Sequence, residues 1–252
     1  MLAIERRNAI LAALSAEGKV IVGDLSLKFG VTEETIRRDI DKLAKEGLAT
    51  KTYGGAVSNV SPSIDLPYNI RKRVNVELKQ KIAETVASMI NDGDRIMLDS
   101  SSTAIYVTRR IKTKKNITVI TNSVEILLEL SDIAGWTVLS TGGTLKEGAF
   151  SLVGATAEKM IRGHHVDIAV CSAKGIDEKM GITDSNEKDS EIKQAIFSSA
   201  EKRVLAIDST KFDKISFVKV CDASDIDILV TDTAPDEIWQ NRLAENNVKL
   251  IY

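Results

Sequence analysis

Five short runs of this 252-residue chain end an apolar stretch on small polar or charged side chains. "LDSSST" brings Asp99, Ser100, Ser101, Ser102 and Thr103, and "ITNS" brings Thr121, Asn122 and Ser123. "STGG" brings Gly142 and Gly143, "CSAKG" brings Lys174, and "AIDSTKF" brings Asp208 and Lys211. Hydroxyls and backbone N–H groups that open onto a helix favour an anion, because unsatisfied donors and the helix dipole point at it together. Glycine allows close approach of backbone to ligand. Each run alone is an ordinary turn. Their recurrence after successive apolar runs, with two lysines among them, is the chemistry of a pocket for a small phosphorylated polyol or sugar.

A second cluster has different chemistry. In "TEETIRRDIDKLAKEG" (32–47), Ile36, Ile40 and Leu43 share one face at helical spacing, flanked by Ala44, so that face must be buried. Thr35, Arg38, Lys42 and Lys45 project from the opposite side, with Arg37 at its edge. Thr32 is placed to cap the N-terminus and Gly47 to end the helix. Upstream, Val22, Leu25 and Phe29 predict a short helix ended by Gly30, and Ile4, Ile10, Leu11 and Leu14 a third that completes a small core. Two helices joined by a Gly-containing turn, the second basic on its free face, form the helix-turn-helix pattern. "LATKTYGGAV" reads as two short strands turning near Gly54 and Gly55, which makes a winged helix. Double-stranded DNA is the expected partner. Thr32, Thr35, Arg37 and Arg38 with Lys42 would face it from the helix, and Lys51 and Tyr53 would reach phosphates from the wing.

The elements that must position the polar runs follow from an alternating pattern. A proline-bearing stretch, 58–75, reads as a linker ending in a short basic helix, between a DNA-binding domain at 1–57 and a larger domain at 76–252. From Val76 onward, short continuous apolar runs such as "RIMLD", "ITVIT", "WTVLS", "VDIAVC", "RVLAID" and "DILVTD" alternate with helical patterns. That predicts an α/β fold with a mainly parallel sheet covered on both faces, its ligand beyond the carboxyl ends of the strands.

Composition bounds the reading. A net charge of -2 with 43% hydrophobic residues suits one small and one large domain. Residues 1–57 are close to charge-balanced, so DNA binding must rest on placement of Arg and Lys rather than on a basic domain. No apolar run is long enough to span a membrane, and the N-terminus lacks a signal-peptide core, so a cytoplasmic location is expected. Cys171 and Cys221 lie in apolar runs and read as buried free thiols. His164 and His165 are adjacent, with no third ligand nearby, so no metal site and no cofactor are expected.

"TIRRDIDKLAKEGLATKTYGGAV" resembles the N-terminal signature of the DeoR family of bacterial transcriptional regulators, contiguously from about Arg6 to Val57. "TGGTLKEGAFSLVGATAE" and "AIDSTKF" resemble that family's C-terminal sensor domain, which is similar in fold to ribose-5-phosphate isomerase. In that isomerase a Gly-rich loop ending Ser-Thr-Ala binds phosphate, and Ser102, Thr103 and Ala104 match it. The resemblance breaks at two places. Ser101 stands where the family usually has Gly. Ser172, Ala173, Lys174 and Gly175 stand where the isomerase carries an acidic motif. Proton shuttling between adjacent carbons needs a positioned carboxylate, so the resemblance implies binding without turnover, with Glu187 and Glu191 orienting ligand hydroxyls. It implies a repressor of carbohydrate genes, a homodimer or higher oligomer, released from its operator by a phosphorylated sugar. The competing class is an isomerase-like enzyme with an accessory domain, which would not need a winged helix.

Overall fold

A computed structural model describes residues 1–58 and 68–252, the side chains of Ser15 and Ala16 excepted. The chain forms two compact units, Met1–Asn75 and Val76–Tyr252. Both linker prolines, Pro62 and Pro67, lie outside the described residues.

The first unit runs α1 (Ala3–Glu17), β1 (Lys19–Ile21), α2 (Val22–Phe29), α3 (Glu33–Lys45), β2 (Ala49–Thr52), β3 (Gly55–Ser58) and α4 (Tyr68–Arg71). Ile10, Leu11, Leu14, Val22, Leu25, Ile36, Ile40 and Leu43 are buried together as its core. Gly30 ends α2 and Gly47 follows α3, both with positive φ. Three details differ from the sequence reading. Ile4 is 48% exposed; it lies on the Leu11 row but in the first turn, where it borders an open groove with Leu43 and Ile70 instead of entering the core. The wing has a third strand, since β1 pairs antiparallel with β3 in the order β1-β3-β2. Part of the stretch read as linker also belongs here, because Ile70 and Val74 pack on this core.

The second unit runs α5 (Val76–Ser88), β4 (Arg95–Leu98), α6 (Ser102–Ile111), β5 (Thr118–Thr121), α7 (Val124–Glu129) and β6 (Thr137–Ser140). It continues through the hairpin β7 (Thr144–Lys146) and β8 (Ser151–Val153), then α8 (Ala155–Arg162), β9 (Val166–Cys171), β10 (Gly175–Asp177), β11 (Gly181–Asp184) and α9 (Glu187–Ser198). β12 (Ala200–Ala206), β13 (Val218–Cys221), β14 (Ile228–Val230), α10 (Glu237–Glu245) and β15 (Lys249–Ile251) complete it. Seven strands form one sheet, β15-β14-β12-β9-β4-β5-β6, parallel throughout. Alternate strand residues serve opposite faces. Ile96, Leu98, Ile168 and Val170 pack with Ile82, Val86 and Ile105 from α5 and α6. Met97, Ala169 and Cys171 pack with Ile161, Ile192 and Ile196 from α8 and α9. Burial of both faces is why these strands read as unbroken apolar runs.

The chain builds the sheet outward from β4 through β5 to β6, then returns to place β9 on the other side of β4. The neighbours β4 and β9 therefore mark the switch point, where parallel sheets open a crevice beyond their carboxyl ends. The hairpin and a small antiparallel sheet, β10-β11-β13, are additions that the alternating pattern did not predict. Among the described residues, no helix is long and apolar enough to cross a membrane.

Candidate functional site

On α3, Thr32 caps as expected, its hydroxyl oxygen accepting the Thr35 N–H at 3.3 Å and lying 3.0 Å from the Thr35 hydroxyl. Arg37 and Arg38 are exposed, each paired one turn back, Arg37 to Glu33 at 2.9 Å and Arg38 to Glu34 at 3.2 Å. Exposed pairs of this kind hold a side chain only weakly, so both guanidinium groups can turn away from the helix toward a partner. Lys42 is exposed on the same helix, and Tyr53 is fully exposed at the wing tip. Lys51 bonds Asp41 of α3 at 2.6 Å, tying wing to helix and holding the Asp41 carboxyl below the usual carboxylate range. Asp39, inside the same "RRD" run, has another task. It is buried and joined to Arg6 at 2.6 Å and Arg7 at 3.5 Å, which fixes α1 against α3.

In the second unit the polar runs all leave strands of the parallel sheet at its carboxyl edge. Asp99 leaves β4 and is 1% exposed. Its carboxylate accepts the Ser101 N–H and, across the switch point, the Ser172 N–H, each at 3.0 Å. Ser101 caps α6, accepting the Ala104 N–H at 3.0 Å. Ser102 and Thr103 lie in the first helical turn, 6% and 3% exposed, and neither hydroxyl is spent on the cap. Ser100 is half-buried between them and the strand.

Beyond β5, Thr121 donates to the Leu98 carbonyl at 2.7 Å and accepts the Ser123 N–H at 3.1 Å, while Ser123 caps α7. Asn122 is buried and donates to the Leu152 carbonyl of β8 at 3.1 Å, which ties the hairpin to this loop. Among the described residues its buried Oδ1 has no hydrogen-bond partner. Gly142 and Gly143 leave β6 with positive φ. A Cβ on Gly143 would lie 2.7 Å from the Val153 oxygen and 3.0 Å from the Ala157 Cβ, so this glycine serves packing of the hairpin on α8.

Lys174 is half-buried beyond β9, its N–H bonded to the Thr183 carbonyl at 3.0 Å. Asp208, beyond β12, is buried and caps the short turn Ser209–Lys211 through the Thr210 N–H and hydroxyl; Lys211 is half-buried. Glu187 and Glu191 are exposed on the first turns of α9. Beside Glu187, Asp189 is 2.6 Å from Lys146 of the hairpin.

The sequence reading missed the charge at the centre of this edge. Lys193 of α9 is buried, with its ammonium against Asp184 and 3.5 Å from Asp99, and it donates to the Ser172 carbonyl at 2.7 Å. Burial opposes both charges, but each overrides that penalty for the other. The Asp184 carboxyl stays below its usual range, and the Lys193 ammonium is raised above its own. The only signal was a lysine in an otherwise apolar row with Ile196 and Phe197, which reads equally as a solvated side chain. Both cysteines are free, and burial pushes both thiols up, Cys221 to about 12. Among the described residues, no group of His, Cys, Asp or Glu could hold a metal.

Comparison with known proteins matches both units. The DeoR-like helix-turn-helix domain matches residues 6–61, and the DeoR C terminal sensor domain matches residues 74–233. The uncharacterized HTH-type transcriptional regulator YulB of Bacillus subtilis is 36% identical over 99% of this chain and 96% of its own. The HTH-type transcriptional repressor GlcR of the same organism is 31% identical over 98% and 95%. A solved ribose 5-phosphate isomerase A from Methanocaldococcus jannaschii is similar over 55% of each chain, at 18% identity and a TM-score of 0.40. A winged helix with exposed arginines on α3, followed by a parallel sheet whose carboxyl edge is lined with hydroxyls, is what those two domains describe, and the chain belongs to the DeoR family of transcriptional regulators.

Proposed function

We propose that this regulator is a repressor of carbohydrate genes that leaves its operator when a phosphorylated sugar or sugar derivative enters the crevice at the β4–β9 switch point. The observation that carries this reading is the first turn of α6. Ser102 and Thr103 are buried there with their hydroxyls free of capping duty, among backbone N–H groups that favour an anion. Lys174, Asn122 and Ser123 leave neighbouring strands at the same edge and would meet the rest of the ligand. The relative named as a repressor supports the sign of the response.

The reading is of binding without turnover. Isomerisation needs a carboxylate free to move a proton between carbons. Asp99 and Asp184 are both engaged by Lys193 and by backbone N–H groups, while Glu187 and Glu191 point into solvent from α9. Residues 1–57 would contact DNA and 76–252 the effector, in a cytoplasmic homodimer or higher oligomer whose recognition helices enter successive major grooves. A ligand that binds the DNA-incompetent arrangement more tightly lowers operator affinity by that difference.

The test sets a gel-shift titration of operator DNA beside a coupled isomerase assay, both with a panel of sugar phosphates. Release by one member without turnover is the expected result. Turnover, or operator binding that no member alters, overturns the reading. Tighter operator binding on adding a member would reverse the sign to ligand-dependent activation or co-repression.

A further inference from the structure

Lys193 is a buried ammonium that neither the DNA-binding surface nor the phosphate-binding turn uses directly. It lies beneath three segments that meet at the switch point. Its Nζ donates to the Ser172 carbonyl at 2.7 Å, contacts Asp184 and lies 3.5 Å from Asp99. Asp99 in turn accepts the Ser101 and Ser172 N–H groups, and Asp184 accepts the Ser185 N–H at 2.7 Å. One cation and two carboxylates therefore join the turn before α6, the turn after β9 and the turn before α9.

Stability alone does not explain such a network. Burying three charges is costly, and apolar side chains of similar volume commonly hold a core as well. What a charged, hydrogen-bonded cluster adds is registry, because its members fit one another in one arrangement. The Ser101 N–H bonded to Asp99 belongs to the residue that caps α6. Any shift of Asp99 is therefore passed to the turn that holds Ser102 and Thr103.

We propose that Lys193 is a positioning residue for the effector: it holds Asp99, and through it the anion-binding turn of α6, in register with the Ser172–Lys174 turn, and it neutralises carboxylate charge beneath the incoming phosphate. This rests on the reading that the crevice binds a phosphorylated ligand. Lys193 itself does not touch that ligand.

Inorganic phosphate serves as the probe, with the full chain followed by thermal shift and by direct titration. The variants are Lys193→Gln and the double variant Lys193→Gln/Asp184→Asn, which removes both charges of the closest pair and keeps the fold if the single variant loses it. The wild-type protein is expected to melt at higher temperature as phosphate is added. The double variant is expected to melt cooperatively and bind a random-sequence duplex within twofold of wild type, yet to bind phosphate at least tenfold more weakly. Combining it with Ser102→Ala/Thr103→Ala is expected to cost less than the product of the separate losses, because both act through one turn.

A wild-type protein that phosphate does not stabilise overturns the ligand reading, and this proposal with it. A responsive wild type with phosphate affinity unchanged in the double variant overturns the proposal alone, leaving Lys193 a structural pair. Losses that simply multiply overturn the claim that Lys193 acts through the α6 turn.

Discussion

Arg38 and Asp39 are neighbours in sequence with opposite duties, and single substitutions separate them. Arg38 is exposed, and among the described residues its ion pair is the surface one with Glu34, so Arg38→Ala is expected to leave the melting temperature unchanged. Loss of a base-edge contact would weaken operator binding by about 1–3 kcal/mol. Operator affinity equal to wild type at the same salt would make Arg38 a merely solvated side chain. Asp39→Ala strands Arg6 in the core, and breaking a buried pair costs about 3–5 kcal/mol, read as a lowered melting temperature of the first unit. A pH dependence follows from the second unit's buried charges. The depressed Asp184 carboxyl contributes stability above its unfolded value of about 3.9, lost as pH falls below that. The raised Lys193 ammonium contributes below its unfolded value of about 10.4, lost only as pH rises beyond it. Between those limits the pair's contribution is flat. Denaturant titrations of Asp184→Asn are expected to show a shallower acid limb than wild type, and an identical limb would remove Asp184 from the acid response.

At the scale of elements, the wing depends on one glycine more than on its side chains. A Cβ on Gly55 would lie 2.0 Å from the Val20 oxygen of β1, so the β1–β3 pair closes only with glycine there. Gly55→Ala is expected to separate β1 from β3, lowering operator affinity and the first unit's melting temperature, with phosphate binding unchanged; unaltered operator affinity would mean the wing tolerates the shift. The sequence showed that a turn lay at Gly54 and Gly55 but not why both were glycine, because the second is set by a strand too short to read, Lys19–Ile21. The same limit hid β10, β11 and β13, which are three- and four-residue strands, and β11 meets β13 across a long stretch of chain with a shift in register. The parallel strands were legible because burial on both faces leaves continuous apolar runs. Likewise the polar run after each strand was legible as composition, but the division of labour within it was not. Asp99, Ser101 and Gly143 serve architecture while Ser102 and Thr103 are left free, and only the three-dimensional contacts separate the two groups.

At the scale of the whole molecule, the proposed function requires that a change in the crevice of the second unit be read out as a change in DNA binding. Ser102→Ala/Thr103→Ala is expected to give a protein that still binds operator but no longer releases it. Both hydroxyls lie on a helix turn fixed between the buried strand β4 and the apolar face of α6, so their positions are set before any ligand arrives. A phosphate docked at that turn would receive bonds from both side chains as well as from backbone N–H groups. Charge-assisted hydrogen bonds contribute roughly 1.5–3 kcal/mol each, so losing two should weaken the effector by at least tenfold. Loss of a cap does not compete as an explanation, because Ser101 supplies the cap and remains in place. The measurement is operator release against effector concentration for wild type and double variant at one salt concentration, with melting temperatures recorded alongside. The variant's release curve is expected to move to at least tenfold higher effector, with operator affinity in the absence of effector unchanged. A release curve that does not move would show that these hydroxyls do not hold the phosphate, whatever happens to the melting temperature.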